Sequence, residues 1–395
     1  MRLRVLLPAA AILLGAAFAL AQSSVIPLHD PVAELNRRIL AGKAELTFDD
    51  DFGYLRSLLK ALDVPVESQM AVFSKTSVQA MRIEPSSPRT LFFNDSVVVG
   101  FVRGGFIELA AQDPQQGLIF YAMDQRPWVH QERMTKPGAK AESLFARRED
   151  CLHCHVSNAT LGVPGALIRS VSAAPDGVPL LQPAGHNTDQ RTPFDKLWGG
   201  WYVTGSSGSA RHMGNTVISA GAQPVLLRNP LDSSRYLSPY SDIVALMVFE
   251  HQTRMMNLLT RIGWEARTGG NLRDTAKELV DYMLFVDEPP LPDRVEGTSG
   301  FTENFAAKGP RDRKGRSLRE FDLKTRLMRY PCSYMIYSAA FDGLPPEAKD
   351  AIYRRMWKIL SGEIVSPRLS SPDRRAIVEI LRDTVKDLPG YFQLN

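Results

Sequence analysis

The stretch Cys151-Leu152-His153-Cys154-His155 constrains this chain more than any other. It reads C-x-x-C-H, the spacing at which a c-type haem is attached. Two thiols three residues apart can each add S–H across a haem vinyl group, leaving a thioether. The adjacent imidazole reaches the iron from the same turn. A half zinc site or a redox dithiol would use similar residues, but zinc needs a second ligand pair at comparable spacing. The other cysteine is the single Cys332, set among apolar and aromatic residues, where a buried, inert thiol is expected. The expectation is one covalent haem c per chain, anchored by Cys151 and Cys154 and ligated by His155.

The N-terminus agrees with this reading. Arg2 and Arg4 precede an apolar run from Val5 to Leu20, which closes on Ala19-Leu20-Ala21. A positive start, an apolar middle and an A-x-A end make residues 1–21 a signal peptide. The run is short for a bilayer span, so the expected product is soluble and periplasmic or secreted. Its removal takes two arginines and lowers the formal charge from +4 to +2. That is too little to argue for nucleic acid or an acidic membrane surface.

The rest of the chain divides by pattern. Residues 22–135 read as an N-terminal α+β region. Helical spacing from Asp30 to Leu40 and from Asp50 to Leu62 is followed by strands at 91–93, 97–102, 106–109 and 118–121. Residues 136–266 form the haem region. A helix over 139–148 leads into the motif, a hairpin joins 167–171 to 178–181, and a loop spans 186–215. A long helix starting at Ser238-Pro239 puts Tyr240, Val244, Met247, His251, Met255, Leu258 and Ile262 on one face. Residues 267–395 read as a helical C-terminal region, with elements at 271–286, 318–340, 346–360 and 372–385.

Around the motif the chain resembles the c-type cytochromes, over about residues 139–215. In that family a helix leads into C-x-x-C-H, a Gly-Pro loop supports the proximal imidazole, and a later methionine fills the sixth iron position. The helix at 139–148 and the loop Gly162-Val163-Pro164-Gly165 match the first two. The resemblance implies an α+β chain whose haem region is a mostly helical, cytochrome c-like fold. It also implies that the Pro164 carbonyl accepts a hydrogen bond from His155 and that Met213, 58 residues after His155, is the distal ligand. His212, His186 and His251 are rival ligands, although a lone histidine on an apolar helix face is more often a core residue. His153 is too constrained to reach the iron. His29 and His130 are uninformative.

Haem propionates want guanidinium and indole donors. Arg191 or Arg211, with Trp198 or Trp201, are candidates, and Arg169 lies near them in sequence. The basic run Lys308 to Arg319 is a candidate surface for a redox partner protein, against the ordinary reading of a solvated loop. The expected function is an exported monohaem carrier of electrons. The alternative is a haem enzyme, peroxidase- or oxygenase-like, with an open distal position, and a haem-based sensor is a third possibility.

Overall fold

A computed structural model describes residues 27–127, 143–181, 185–219 and 222–393. The expected signal peptide, His130 and residues 139–142 of the helix expected over 139–148 lie outside these residues, and 143–148 are not helical.

The N-terminal region folds as its local signals require. Helix α1 (Pro31–Leu40) is capped by Asp30, whose carboxylate accepts from the backbone N–H of Val32 and Ala33 at 2.9 and 3.0 Å, with proline in the first turn. Helix α2 (Leu55–Ala61) is shorter than its pattern, because a turn occupies 49–53. The strands then follow in sequence: β1 (Met70–Val72), β2 (Arg89–Phe93), β3 (Val97–Phe101), β4 (Ile107–Asp113) and β5 (Gly117–Met123). The four expected strands are present, and β1 is an addition. Alternation places Phe92, Val99, Leu109, Ile119 and Tyr121 against α1 and α2 on one face of the sheet. Leu91, Phe93, Leu118 and Phe120 face the main core on the other.

The region around the motif is not the helical fold expected. Ala146–Arg147 is an edge strand, β6, paired with β5, and the motif's own helix α3 (Leu152–His155) has four residues. β7 (Ile168–Ser170) pairs with β8 (His186–Thr188) rather than with 178–181. β9 (Trp201–Tyr202) joins the main sheet beside β1. The result is a seven-stranded sheet in the order β6-β5-β4-β3-β2-β1-β9, antiparallel throughout. Two short segments of the region expected to hold the haem, β6 and β9, therefore complete a sheet built by the N-terminal region. A separate helical cytochrome c-like haem fold is corrected to this sheet platform. The cause is pairing: the free edges of β1 and β5 supply donors and acceptors that 146–147 and 201–202 satisfy.

Helix α4 (Ile243–Thr268) crosses the motif-bearing face of that sheet. It begins four residues after the expected Pro239, because Asp242 caps it through Val244 and Ala245. Every residue from Ile243 to Thr253 is buried, so this helix is a core element rather than an amphipathic surface one. It ends at Gly269 in the left-handed region, φ 73°. Helices α5 (Leu272–Met283), α6 (Phe301–Ala307), α7 (Ala339–Asp342), α8 (Pro346–Leu360) and α9 (Ser371–Thr384) complete the chain. The helical pattern over 318–340 is mostly irregular chain, with a 3-10 turn at 334–337 before α7. One hydrophobic core draws its residues from Met70 to Phe392, on both sides of positions 135 and 266. No helix among the described residues is long and apolar enough to cross a membrane.

Glu288 is 8% exposed and accepts from the Leu327 N–H at 2.9 Å. Burial pushes its carboxyl up to about 7, from 4.5 in the unfolded chain. The folded state thus holds a proton that the unfolded state releases first. Stability is full below about pH 4.5 and falls as pH rises to about 7. The loss is on the order of 3 kcal/mol at 1.36 kcal/mol per pH unit. Glu288→Gln should flatten that fall, measured as the urea midpoint between pH 5 and 8. A wild-type and variant pair with parallel pH profiles would refute it.

Candidate haem attachment site

The motif sits over β5. Helix α3 follows a 3-10 turn at Glu149–Cys151, and the Arg148 N–H donates to the Phe120 carbonyl at 2.9 Å, fastening the approach to the sheet. Cys151, Cys154 and His155 are spaced i, i+3 and i+4, one side of a helical turn. Both thiols are free; Cys151 is half-buried and Cys154 exposed. The side chain of Cys151 packs at the margin of the main core, and burial pushes its thiol up.

His155 is held in one tautomer. Its Nδ1 donates to the Gly165 carbonyl at 2.8 Å, and its ring lies 4.6 Å from that of Phe120, centroid to centroid. Burial pushes the imidazole pKa down, the Gly165 carbonyl opposes that, and the net effect favours a neutral ring. With Nδ1 protonated and bonded, Nε2 carries the lone pair, and no described residue bonds it. A neutral imidazole with one nitrogen fixed to a carbonyl and the other free is the donor a metal requires. Two free thiols beside it complete a donor set that fits haem c.

The acceptor is Gly165 rather than the expected Pro164. The Pro164 carbonyl is taken by the Leu118 N–H at 2.9 Å, which ties the loop to β5. Asn257 on α4 then grips the next residue from both sides. Its Oδ1 accepts from the Ala166 N–H at 3.0 Å, and its Nδ2 donates to the Ala166 carbonyl at 2.8 Å. Arg261 holds the Leu161 carbonyl at 2.9 Å. Position 165 must be glycine, since a Cβ there would lie 2.3 Å from Asn257 Oδ1. Position 117 is glycine for a related reason: its φ is +87°, and a Cβ would meet the Pro164 carbonyl at 2.6 Å.

The expected distal ligands are committed elsewhere. The Met213 thioether accepts from Ser170 Oγ at 3.6 Å, and its N–H bonds the Leu197 carbonyl. His212 Nδ1 accepts from the Gly214 N–H, with its ring 5.3 Å from that of Trp198. His186 Nε2 donates to the Lys196 carbonyl. His251 is fully buried and bonded at both nitrogens, to Gln190 and to Ser333. It stacks on Phe285 at 4.6 Å, and burial lowers its pKa to about 3. It is a core histidine. None of these four shares a hydrogen bond or ring contact with His155.

The expected propionate partners fare similarly. Arg191 pairs with Asp189 through two bonds and lies over Tyr282. Arg169 and Arg211 are exposed. Trp201 Nε1 donates to the Arg169 carbonyl, and Trp198 is buried with its indole N–H unpartnered. The guanidinium that does act on His155 electrostatically is that of Arg89 on β2, which pairs with Glu108 on β4 at 2.6 Å. Gly100 on β3 clears the space between them, and Nε of Arg89 is buried without a partner. Nothing in the local sequence of Arg89 announced this, because it is brought in by strand pairing.

The basic run is not free either. Lys308, Arg311, Arg313, Lys314, Arg316 and Arg319 each meet a carboxylate, from Asp63, Glu320, Asp383, Glu379, Asp312 and Asp95 respectively. Cys332 is buried, with its thiol pushed up to about 12.

The support of His155 should show coupling between two positions. Asn257→Ala leaves the Ala166 N–H and carbonyl unpaired and should cost about 2–3 kcal/mol. Gly165→Ala should cost about 1–3 kcal/mol through overpacking. Asn257→Ala also removes the atom that Ala at 165 would strike, so the double variant should lose less than the sum of the two. Strict additivity of denaturant midpoints would contradict the clamp.

No protein-family model, curated protein or solved structure matches this chain, so its functional reading rests on these residues alone.

Proposed function

We propose that this chain is an exported protein carrying one covalent haem c, and that it transfers electrons with a redox partner protein. Cys151 and Cys154 are the thioether anchors and His155 the proximal ligand. The observation that carries this is the His155 Nδ1–Gly165 carbonyl bond within C-x-x-C-H, which leaves Nε2 as the free donor. The haem, when bound, supplies one-electron chemistry that no side chain of the motif supplies. The chain's own part is to hold and tune. Gly165 fixes the ring orientation and raises the ligand's basicity, and Asn257 keeps Gly165 in place. Phe120 covers one side of the imidazole. Arg89, paired with Glu108, is the guanidinium whose field reaches His155.

A second reading is an oxidoreductase with an open distal position. It is favoured by the Met213–Ser170 contact and by the engagement of His251 at both nitrogens, which leave no expected ligand facing His155. Any of the expected distal ligands would have to abandon an existing partner to become the second axial group.

The exported wild-type protein should keep its haem through acidic acetone extraction, and Cys151→Ala with Cys154→Ala should lose it. Covalent haem that survives the double substitution, or never forms in the wild type, sinks the assignment. A low-spin ferric spectrum with a near-infrared methionine band that disappears in Met213→Ala supports the electron carrier. A high-spin ferric spectrum that responds to cyanide supports the second reading.

A further inference from the structure

Beside the motif, and separate from its haem-facing side, lies a cleft of about 440 Å³. Leu118, Phe120, Leu152, Pro164 and Trp264 form its apolar walls. None of Cys151, Cys154 and His155 lines it. Leu152 does, and at 100° per residue it projects about a quarter turn away from the side those three share. Phe120 is the wall between the two places, in ring contact with His155 and also lining the cleft. The volume is within the ~300–1,000 Å³ range of small-molecule sites.

The charge around the cleft is unbalanced. Arg147, Arg148 and Arg267 line it against one carboxylate, Glu149. Arg147 spends its charge on Glu149 at 2.5 Å, and Arg148 on Asp150 at 2.7 Å. Arg267, in the last turn of α4, has no carboxylate partner among the described residues; its Nη2 donates to the Gly343 carbonyl at 3.1 Å. The nearby end of α4 does not absorb it. The Trp264 carbonyl takes the Thr268 hydroxyl at 2.9 Å, and the Glu265 carbonyl takes the N–H groups of Gly269 and Gly270. The Trp264 indole N–H is itself fixed to the Gln115 carbonyl at 2.8 Å, which holds its ring as a wall. An apolar cleft with an uncompensated guanidinium at its rim selects an apolar body bearing a single anionic head.

We propose that this cleft binds a small amphipathic carboxylate, with Arg267 receiving the carboxylate and Phe120, Leu152 and Trp264 enclosing the apolar part. The site goes beyond the haem assignment and does not need it, because the walls belong to β5, α3, the 161–166 loop and α4 of the folded chain.

Calorimetry with 2-naphthoate as the probe tests this on the purified protein, with 2-naphthamide as its neutral counterpart. The carboxylate should bind at least fivefold more tightly than the amide. Arg267→Gln should remove that preference while leaving amide binding unchanged, and Thr268→Trp at the rim should weaken both. Equal binding of the two probes, no binding of either, or a preference that survives Arg267→Gln overturns the proposal. Cys151→Ala with Cys154→Ala should leave naphthoate affinity within twofold of the wild type, and a large loss there would also overturn a site independent of haem. Failure of the haem assignment would be read separately, as absence of covalent haem, with the calorimetry unaffected.

Discussion

The candidate site depends on one side-chain amide. Asn257 accepts from and donates to the backbone of Ala166, and so fixes the residue before it as the acceptor for His155. A single amide can do this because its donor and acceptor match the backbone acceptor and donor of one residue. Burial makes the match specific: a shifted loop would leave two backbone groups and an amide unsatisfied away from water. The same demand excludes a Cβ at Gly165 and explains why Pro164, already held by β5, is not the acceptor.

Asn257 can act as a fixed point because α4 is itself fixed along its length. Its buried polar groups reach outward in different directions. Glu250 accepts from Thr188, Gln252 donates to the Asn94 carbonyl and accepts from Tyr334, and Thr260 accepts from Gln112. These partners lie on β8, in the β2–β3 turn, near α7 and on β4. A helix that buried only apolar side chains would be free to slide or rotate slightly, since hydrophobic contact is non-directional. The polar ties set its register against the sheet, and the register places Asn257 under the 161–166 loop. Burial of Glu250 raises its carboxyl pKa, so this specificity comes at some expense of stability near neutral pH.

What could be read in advance was whatever local chemistry decides. Asp30-Pro31 started a helix where it should, and β-rich runs split by turn residues located β2 to β5. His251 was recognisable as a probable core residue by its apolar helix face, and it is one. Pairings distant in sequence were not legible. β6 and β9 are two-residue strands whose identity comes from the sheet edges they complete. Arg89 reaches the neighbourhood of His155 only because β2, β3 and β4 are adjacent and Gly100 intervenes. Spacing made Met213 a plausible ligand, but spacing measures chain length and says nothing of direction. The hairpin at 168–170 carries Ser170 to the thioether instead.

The sheet platform also bears on what a haem here would experience. In a helical wrap the proximal loop and distal ligand come from one continuous segment that closes around the ring. Here the support of His155 is split among β5, the 161–166 loop and α4, with Phe120 and Asn257 lying 257 − 120 = 137 residues apart. Such a support is rigid only in the folded whole, so orientation of His155 and global stability are coupled. An imidazole kept neutral by burial, with Nδ1 held by the Gly165 carbonyl, is then a property of the entire core.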